Sequence, residues 1–365
     1  MIRNALRWLA LAAVLATFNG CTRPAPATGA APAGQGSPVS QEASERAVAD
    51  FYRGKTVRLI VGFAPGGGYD TYTRLISRFL GTYIPGNPTV VVENMPGAGS
   101  LVAANQAYNT LPKDGTVVAN IAGTLVLEQL FKTEGVQFDA LKFHYLNVPV
   151  RETYTMVVHS RTGVTKIDDI TGPSGKQIVL AGIPGTGVEQ GALLMREALG
   201  GNIKVVSGYE GTSAVRLAIE SGELDGFVNS WQSIKITNLD DIVNGNWVML
   251  ADINEQVTKD MPVHPPLLKD IGQNEEARQL VRLGVLYPNQ IGKVYVAAPE
   301  VPEARAAALE NAFKQVFADK AFQEEAEKAR LELDPLWSAD IKQIVTNMLN
   351  TPDDVRAKLQ RVLKP

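Results

Sequence analysis

Cysteine is almost absent. Cys21 is the one cysteine in 365 residues, so no intramolecular disulfide can form. Histidine is nearly as scarce: His144, His159 and His264 stand far apart with no metal-ligand spacing, and structural roles account for them. The acid pairs Asp168-Asp169, Asp240-Asp241 and Asp353-Asp354 read as helix starts, with nothing resembling a calcium loop beside them. Neither sign of charge dominates, since 35 basic residues face 38 acidic ones for a formal charge of −3. Without Arg3 and Arg7, which fall in the N-terminal leader, the balance becomes −5. A nucleic-acid partner, which would leave a basic stripe, is not indicated. Gly-x-Ser-x-Gly, His-Glu-x-x-His and the phosphate-loop Gly-Lys-Ser/Thr are all missing, which removes the familiar enzyme classes that depend on them. No cofactor or metal is implied, and the chain does not read as an enzyme.

What is present begins with an export signal. Arg3 and Arg7 precede an apolar run over residues 8–16, then Phe18-Asn19-Gly20-Cys21. A short basic region, an apolar core and a small residue before the cut describe a secretory signal over residues 1–20. The run is too short to span a bilayer comfortably. Gly20 before Cys21 resembles a bacterial lipobox, with Phe18 where that motif usually has Leu, so Cys21 is the expected lipidation site. Two acyl chains there give stable anchoring where one is marginal. Residues 21–50, with Pro24, Pro26, Pro32 and Pro38 among Ala, Gly, Ser and Thr, cannot bury enough apolar surface to fold and are expected to form a disordered tether.

From residue 51 onward short apolar runs alternate with helical stretches, the signature of an α/β architecture with a mainly parallel sheet. Residues 57–61 are strand-like and break at Phe63-Ala64-Pro65-Gly66-Gly67-Gly68-Tyr69-Asp70 before apolar residues resume at helical spacing. Three glycines leave backbone N–H groups uncovered at the positive end of a helix, where an anion is favoured. The device recurs. Residues 90–95 end in Pro96-Gly97-Ala98-Gly99-Ser100, and residues 116–121 end in Ala122-Gly123-Thr124. In a second unit, residues 177–183 end in Pro184-Gly185-Thr186-Gly187, and residues 224–229 end in Ser230-Trp231. Ligands of open α/β sheets bind beyond the carboxyl ends of strands, so these turns predict one cleft.

Four of these stretches together are similar to a known family. Phe63 to Asp70, Val92-Glu93-Asn94-Met95-Pro96-Gly97-Ala98-Gly99, Pro112-Lys113-Asp114-Gly115 and Gly208-Tyr209-Glu210-Gly211-Thr212 resemble the extracytoplasmic solute receptors of tripartite tricarboxylate transporters, the Bug family. The likeness covers residues 55–340, nearly all of the folded chain. It implies a type II periplasmic-binding-protein fold, two α/β lobes that close on a carboxylate-bearing solute and hand it to a permease of two integral membrane subunits. It further implies that backbone N–H groups and ordered waters hold the carboxylate, from residues 64–68 and from the facing Gly185-Thr186-Gly187. The chain departs from the family at Ala64 in a usually Pro-rich start, and at Glu189 where the facing loop often carries His. That carboxylate points to a ligand with a donor or an uncharged distal end.

The lobes are expected at residues 51–152 with 286–365, and at 153–285. Candidate ligand contacts are Phe63, Ala64, Pro65, Gly66, Gly67, Gly68, Tyr69 and Asp70 from the first turn. The other turns add Gly97, Ala98, Gly99, Gly123 and Thr124, and the facing unit adds Gly185, Thr186, Gly187, Glu189, Ser230 and Trp231. Asp70 reads equally as a helix-starting acid paired with Arg74, and Trp231 as a core residue. The expected partners are a small organic acid, the permease subunits and the membrane through Cys21, with the protein acting as a monomer. Two other readings stand beside this one: a flytrap that presents its ligand to a signalling receptor, and a dinucleotide-binding enzyme. The second rests on Gly182-Ile183-Pro184-Gly185-Thr186-Gly187, whose spacing is wrong for Gly-x-Gly-x-x-Gly.

Overall fold

A computed structural model describes residues 38–63, 65, 66, 68–200, 202–209 and 211–364. The expected signal segment, Cys21, Ala64 and Gly67 lie outside the described residues. The first described element is a helix, Pro38–Tyr52, which occupies the end of the stretch expected to be tether. Its composition explains the correction. Past Pro38, which suits a first helical turn, there is no further proline, and Glu42 pairs with Arg46 one turn on at 2.5 Å. Val48 and Tyr52 are buried, and the Tyr52 hydroxyl donates to the Gly115 carbonyl at 3.0 Å.

Eleven strands follow among the described residues. In chain order they are β1 (Thr56–Val61), β2 (Thr89–Asn94), β3 (Val117–Ala122), β4 (His144–Val148), β5 (Tyr154–His159), β6 (Ile178–Gly182), β7 (Ile203–Ser207), β8 (Gly226–Ser230), β9 (Trp247–Ile253), β10 (Lys293–Ala297) and β11 (Leu336–Trp337). They form two sheets. The first has the order β11-β4-β10-β3-β1-β2 and the second β7-β6-β8-β5-β9. In the first, β1 runs parallel to both β2 and β3, with Val61 opposite Asn94 on one side and Asn120 on the other. Three carboxyl ends therefore finish side by side. In the second, β6 is parallel to β7 and β8, and the crossing strand β5 is antiparallel to β8 and β9.

The strands are near-continuous apolar runs because helices cover both faces of each sheet. Successive side chains point to opposite faces, and the residues sort accordingly. Val57 and Leu59 of β1 and Val118 of β3 pack with Ile76, Leu309 and Phe313, from helices Gly68–Tyr83 and Glu303–Ala318. Ile60, Ala119 and Ile121 face the other way, against helices Leu101–Asn109, Leu125–Leu130 and Ser338–Leu349. That second cluster continues without a break into Met156, Leu180 and Val228 of the second sheet. A third cluster on the far face of the second sheet holds Phe227, Trp247 and Trp231.

Chain crossings between the lobes are few: residues 149–153 lead from β4 to β5, and the chain returns into β10 after a π-helical turn, Arg282–Leu286. Bidentate bonds from Arg151 to Asp334, both 2.7 Å, fasten the outgoing crossing to the first lobe.

Phe313 is fully buried with its ring centroid 5.0 Å from that of Tyr295. Phe313→Ala should destabilise the fold by about 3–5 kcal/mol, the range for emptying an aromatic site in a core. Urea unfolding of both proteins measures it; a loss under about 1 kcal/mol would contradict this packing.

Candidate functional site

The turn after β1 is locked by Asp70 rather than left open. One carboxylate oxygen accepts the Gly66 N–H at 2.9 Å and Arg74 Nε at 2.8 Å; the other accepts Asn94 Nδ2 at 2.9 Å. The same Asn94 amide reaches the Phe63 carbonyl, also at 2.9 Å. Gly66 sits at φ +86°, a conformation L side chains rarely adopt, so this glycine is required by the backbone itself. The Arg74 bond, with Gly66 and Asn94 behind it, holds the Asp70 carboxyl down to about 2 despite burial. Asp70 is therefore buried structure, and it does not line the cavity.

Tyr69, next to it, does. Its ring lies 4.0 Å from that of Phe63, and its hydroxyl donates to the Gly292 carbonyl at 2.6 Å. Directly beyond is Lys293, whose Nζ is 5.3 Å from the Tyr69 ring centroid and 2.6 Å from a Glu152 carboxylate oxygen. The two side chains are only 7% and 12% exposed. This pair joins the outgoing crossing to the return strand on the wall of the cleft.

The facing turn, after β6, is built by similar logic. Gly185 has φ +73°, and the Thr186 hydroxyl accepts the Val188 N–H at 3.3 Å to cap helix Gly187–Leu199. The Glu189 carboxylate takes the Gly185 N–H at 3.1 Å and the Ser207 hydroxyl. Gly187 is pressed so close to Tyr154 that a Cβ there would lie 2.6 Å from the phenol oxygen and 2.7 Å from Asn289 Oδ1. Its own N–H has no acceptor among the described residues and sits at the positive end of a thirteen-residue helix. Burial pushes the Tyr154 phenol well above its ordinary value, so it meets the cavity as a neutral hydroxyl.

Between the two turns lies one cavity of about 610 Å³, lined from both lobes. That volume falls in the range of small-molecule sites. Of the residues expected from sequence, it brings together Phe63, Gly66, Gly68, Tyr69, Gly123, Thr124, Gly185, Thr186, Gly187 and Ser230. Others do not reach it. Pro65 is exposed outside the lining, and Trp231 is fully buried in the second lobe's core. Glu189 is spent on its own turn. Gly97, Ala98 and Gly99 form a positive-φ turn outside the lining, with Ser100 behind it packing where a Gly62 Cβ would be, 2.3 Å away; a Cβ on Gly99 would lie 3.7 Å from the Gly185 carbonyl, so this turn approaches the facing one. The cleft also contains residues that carried no motif, among them Glu152, Lys293, Tyr154, Asn229, Arg216 and Asn289. Glu152 and Lys293 are 141 positions apart, so no local spacing could announce them. Among the described residues there is no acid or histidine cluster fit for a metal, and no helix long and apolar enough to cross a membrane.

Two opposed glycine turns over one hollow give a two-lobed α/β fold with a cleft of small-molecule size, and solved structures share that fold. A TctC solute-binding protein from Polaromonas matches with a TM-score of 0.62 at 14% identity, over 86% of this chain and 99% of that one. The periplasmic binding protein BugD matches at 0.61 and 17%, over 85% and 98%. MatC of Rhodopseudomonas palustris, solved with bound malate, matches at 0.58 and 16%, over 85% and 99%. At these identities what is shared is the fold, and it is the type II periplasmic-binding-protein fold. No family model matches the chain. Two curated UPF0065 proteins are similar in sequence. One, from Cupriavidus necator, is 33% identical over 97 residues, 27% of this chain and 28% of the relative. The other, from Bordetella pertussis, is 28% identical over 189 residues, 50% and 57% respectively. The chain thus spans between about a quarter and somewhat over half the length of these relatives. The resemblance to the TctC and Bug solute receptors read from the turn motifs stands on both kinds of comparison.

Asp70 yields a pH prediction. Its folded value of about 2 lies below the ordinary 3.8, so its contribution is complete above about pH 4 and drains as pH falls toward 2. The shift bounds that contribution at about 2 kcal/mol, reduced because Arg74 is 51% exposed. Asp70→Asn should cost about 1–2 kcal/mol at pH 7, with the gap to wild type closing between pH 4 and 2. Urea unfolding across that range reads it; a gap independent of pH would show that Asp70 does not lock the turn.

Proposed function

We propose that the chain is an exported solute-binding lipoprotein of the Bug type. It captures a small organic carboxylate between its lobes and delivers it to a tripartite tricarboxylate-type permease, without catalysing a reaction. The single observation that supports this most is the hollow shared by the turn after β1 and the turn after β6. Gly187 brings a helix N-terminus to it with an N–H still free among the described residues. An oxyanion there gains hydrogen bonds and the favourable end of the helix dipole, and no fixed cation has to be buried to receive it. Closure follows if the ligand binds the shut form better than the open one.

The choice of a carboxylate is supported by MatC, solved with malate, and by a second Rhodopseudomonas palustris protein of the same fold, solved with adipate. Export is supported by the N-terminal sequence and by a periplasmic binding protein that shares the fold, and lipidation at Cys21 by the N-terminal sequence alone. In this reading the mature protein is a monomer held to the cell envelope by its lipid.

Thermal unfolding against mono- and dicarboxylates, aromatic acids, a sugar and NAD tests the ligand class. A carboxylate at a hundred times its Kd should stabilise the protein by about 2.7 kcal/mol. Stabilisation by the sugar or NAD with none by any carboxylate would end the proposal. Gly187→Val, which places a side chain against Tyr154 and Asn289, should weaken carboxylate binding at least tenfold, as read by calorimetric titration.

A further inference from the structure

The two lobes also meet away from the crossings. Lys235, on helix Trp231–Val243 of the second lobe, and Glu332, in the segment after helix Lys320–Lys328 of the first, both line the cavity. Their charged groups are 3.0 Å apart. Each residue is tied to its own lobe. Trp231 and Ile234, beside Lys235 in the same helix, are buried in the second lobe's far cluster. Leu331 and Leu333 pack against the first-lobe cluster that holds Ile76 and Phe313. The Tyr72 hydroxyl donates to the Glu332 carbonyl at 2.7 Å, which pins this segment to the helix after the first glycine turn. Lys235 and Glu332 thus form an ion pair between lobes, and neither lies on a crossing.

The sheet order puts a second meeting point at the opposite edge. Glu332 lies shortly before β11, the strand at one edge of the first sheet, and the turn at residues 97–99 follows β2, the strand at the other edge. That turn approaches the Gly185 carbonyl through backbone that carries no charge. The hollow is therefore bounded at both edges by lobe-to-lobe contact, the arrangement of a shut cleft.

A third group makes the charged contact reversible. Asp260, in the loop after β9 of the second lobe, lies 2.5 Å from the same ammonium. When the lobes part, Lys235 keeps Asp260 while Glu332 passes into water, so opening strands no unpaired buried charge. Side-chain exposures of 30% for Lys235, 33% for Glu332 and 44% for Asp260 mean that water reaches all three. A pair so placed shifts an equilibrium only a few-fold. That is too little to hold a fold together, but enough to set the balance between two lobe positions close in free energy.

We infer that Lys235 and Glu332 form an electrostatic latch that holds part of the population shut before any ligand arrives, with Asp260 as the resting partner of the released lysine. Such a latch acts on the empty protein, so it stands or falls whatever the solute is.

Spin labels at Lys328→Cys and Val243→Cys, exposed positions on the first and second lobes, report the interlobe distance in the ligand-free full chain. Cys21→Ser in the same chain leaves no other thiol to label. With the latch intact the distances should fall into a short and a long population. Glu332→Gln and Lys235→Gln should each lower the short-to-long ratio about two- to fivefold, the scale of a part-exposed ion pair. Asp260→Asn, which removes the resting partner, should not lower it. Exchanging the charges, Lys235→Glu with Glu332→Lys, should recover part of the ratio, which a packing role alone would not. About 1 M NaCl should bring the intact latch toward the Glu332→Gln ratio, because screening reaches a pair this exposed. An unchanged ratio in both single variants, or no short population with the latch intact, would overturn the inference. So would a ratio lowered as far by Asp260→Asn as by Glu332→Gln, since the three groups would then be a structural cluster.

Discussion

The wall of the cleft beside the turn after β1 is arranged around the contact between Lys293 and Glu152. Each sits on one of the passages between the lobes, and at 2.6 Å, with little access to water, each charge is offset by the other. Taking two ions out of water is expensive, and their attraction offsets the cost only when the geometry is good and further bonds surround them. Here the surroundings are close. The Tyr69 and Tyr72 rings lie 5.3 and 5.8 Å from the ammonium, and a Cβ on Gly68 would come 3.2 Å from Lys293 Cε. Gly292, whose carbonyl accepts the Tyr69 hydroxyl, lies against Glu152 so tightly that a Cβ there would approach its carboxylate to 2.8 Å. The pair thus fixes the first turn to both crossings at once. It also leaves that wall electrically balanced, so on the proposed function the pull on an anion comes mainly from backbone ends.

A division of labour among carboxylates follows from the same constraint. Asp70 and Glu189 occupy matching places, two residues into the helices Gly68–Tyr83 and Gly187–Leu199, and each turns back to accept an N–H of its own glycine turn. An acid near a helix N-terminus is stabilised there by the dipole. In these turns it also fixes the loop. The turns are therefore held in one conformation, and on the proposed function this lowers the entropy lost when a ligand binds to the amides these acids do not consume.

How much of this was legible depended on whether the signal was local. The strand, turn and helix starts at Gly66, Gly123 and Gly185 follow from runs of residues close in sequence, and their placement at one cleft follows from parallel strands sharing a carboxyl end. Asp70 could not be assigned from sequence, because a helix-starting acid and a ligand contact look alike until Asn94 and Gly66 are seen around it. Trp231 misled for a related reason: a Trp at a strand's end fits a cleft wall and a core equally well, and the helix it opens turns it inward. The Pro-rich stretch shows the limit of composition. Thirteen helical residues up to Asp50 fell inside a segment read as tether, because the apolar residues that anchor the helix come only at its end. Glu152 and Lys293 carry no local signal, being brought together over 141 positions, whereas Asn229 sits one residue before a strand end that the sequence does mark.

On the proposed function, holding a carboxylate on backbone amides has a consequence for selectivity. Backbone amides at glycine turns recognise the geometry of a carboxylate but discriminate weakly among molecules that carry one, since every such ligand offers the same two oxygens. Discrimination must come from groups whose satisfaction depends on the rest of the ligand. A site that leaves buried polar groups unpaired rejects the analogue that cannot reach them, by far more than an apolar wall rejects one methylene. Asn229 is such a group: it ends β8 beside β6, lines the cavity and leaves its amide nitrogen without a partner. On the proposed function, a scaffold of this kind keeps its glycine turns constant, because their positive φ requires glycine, and varies its choice of solute through residues one strand away.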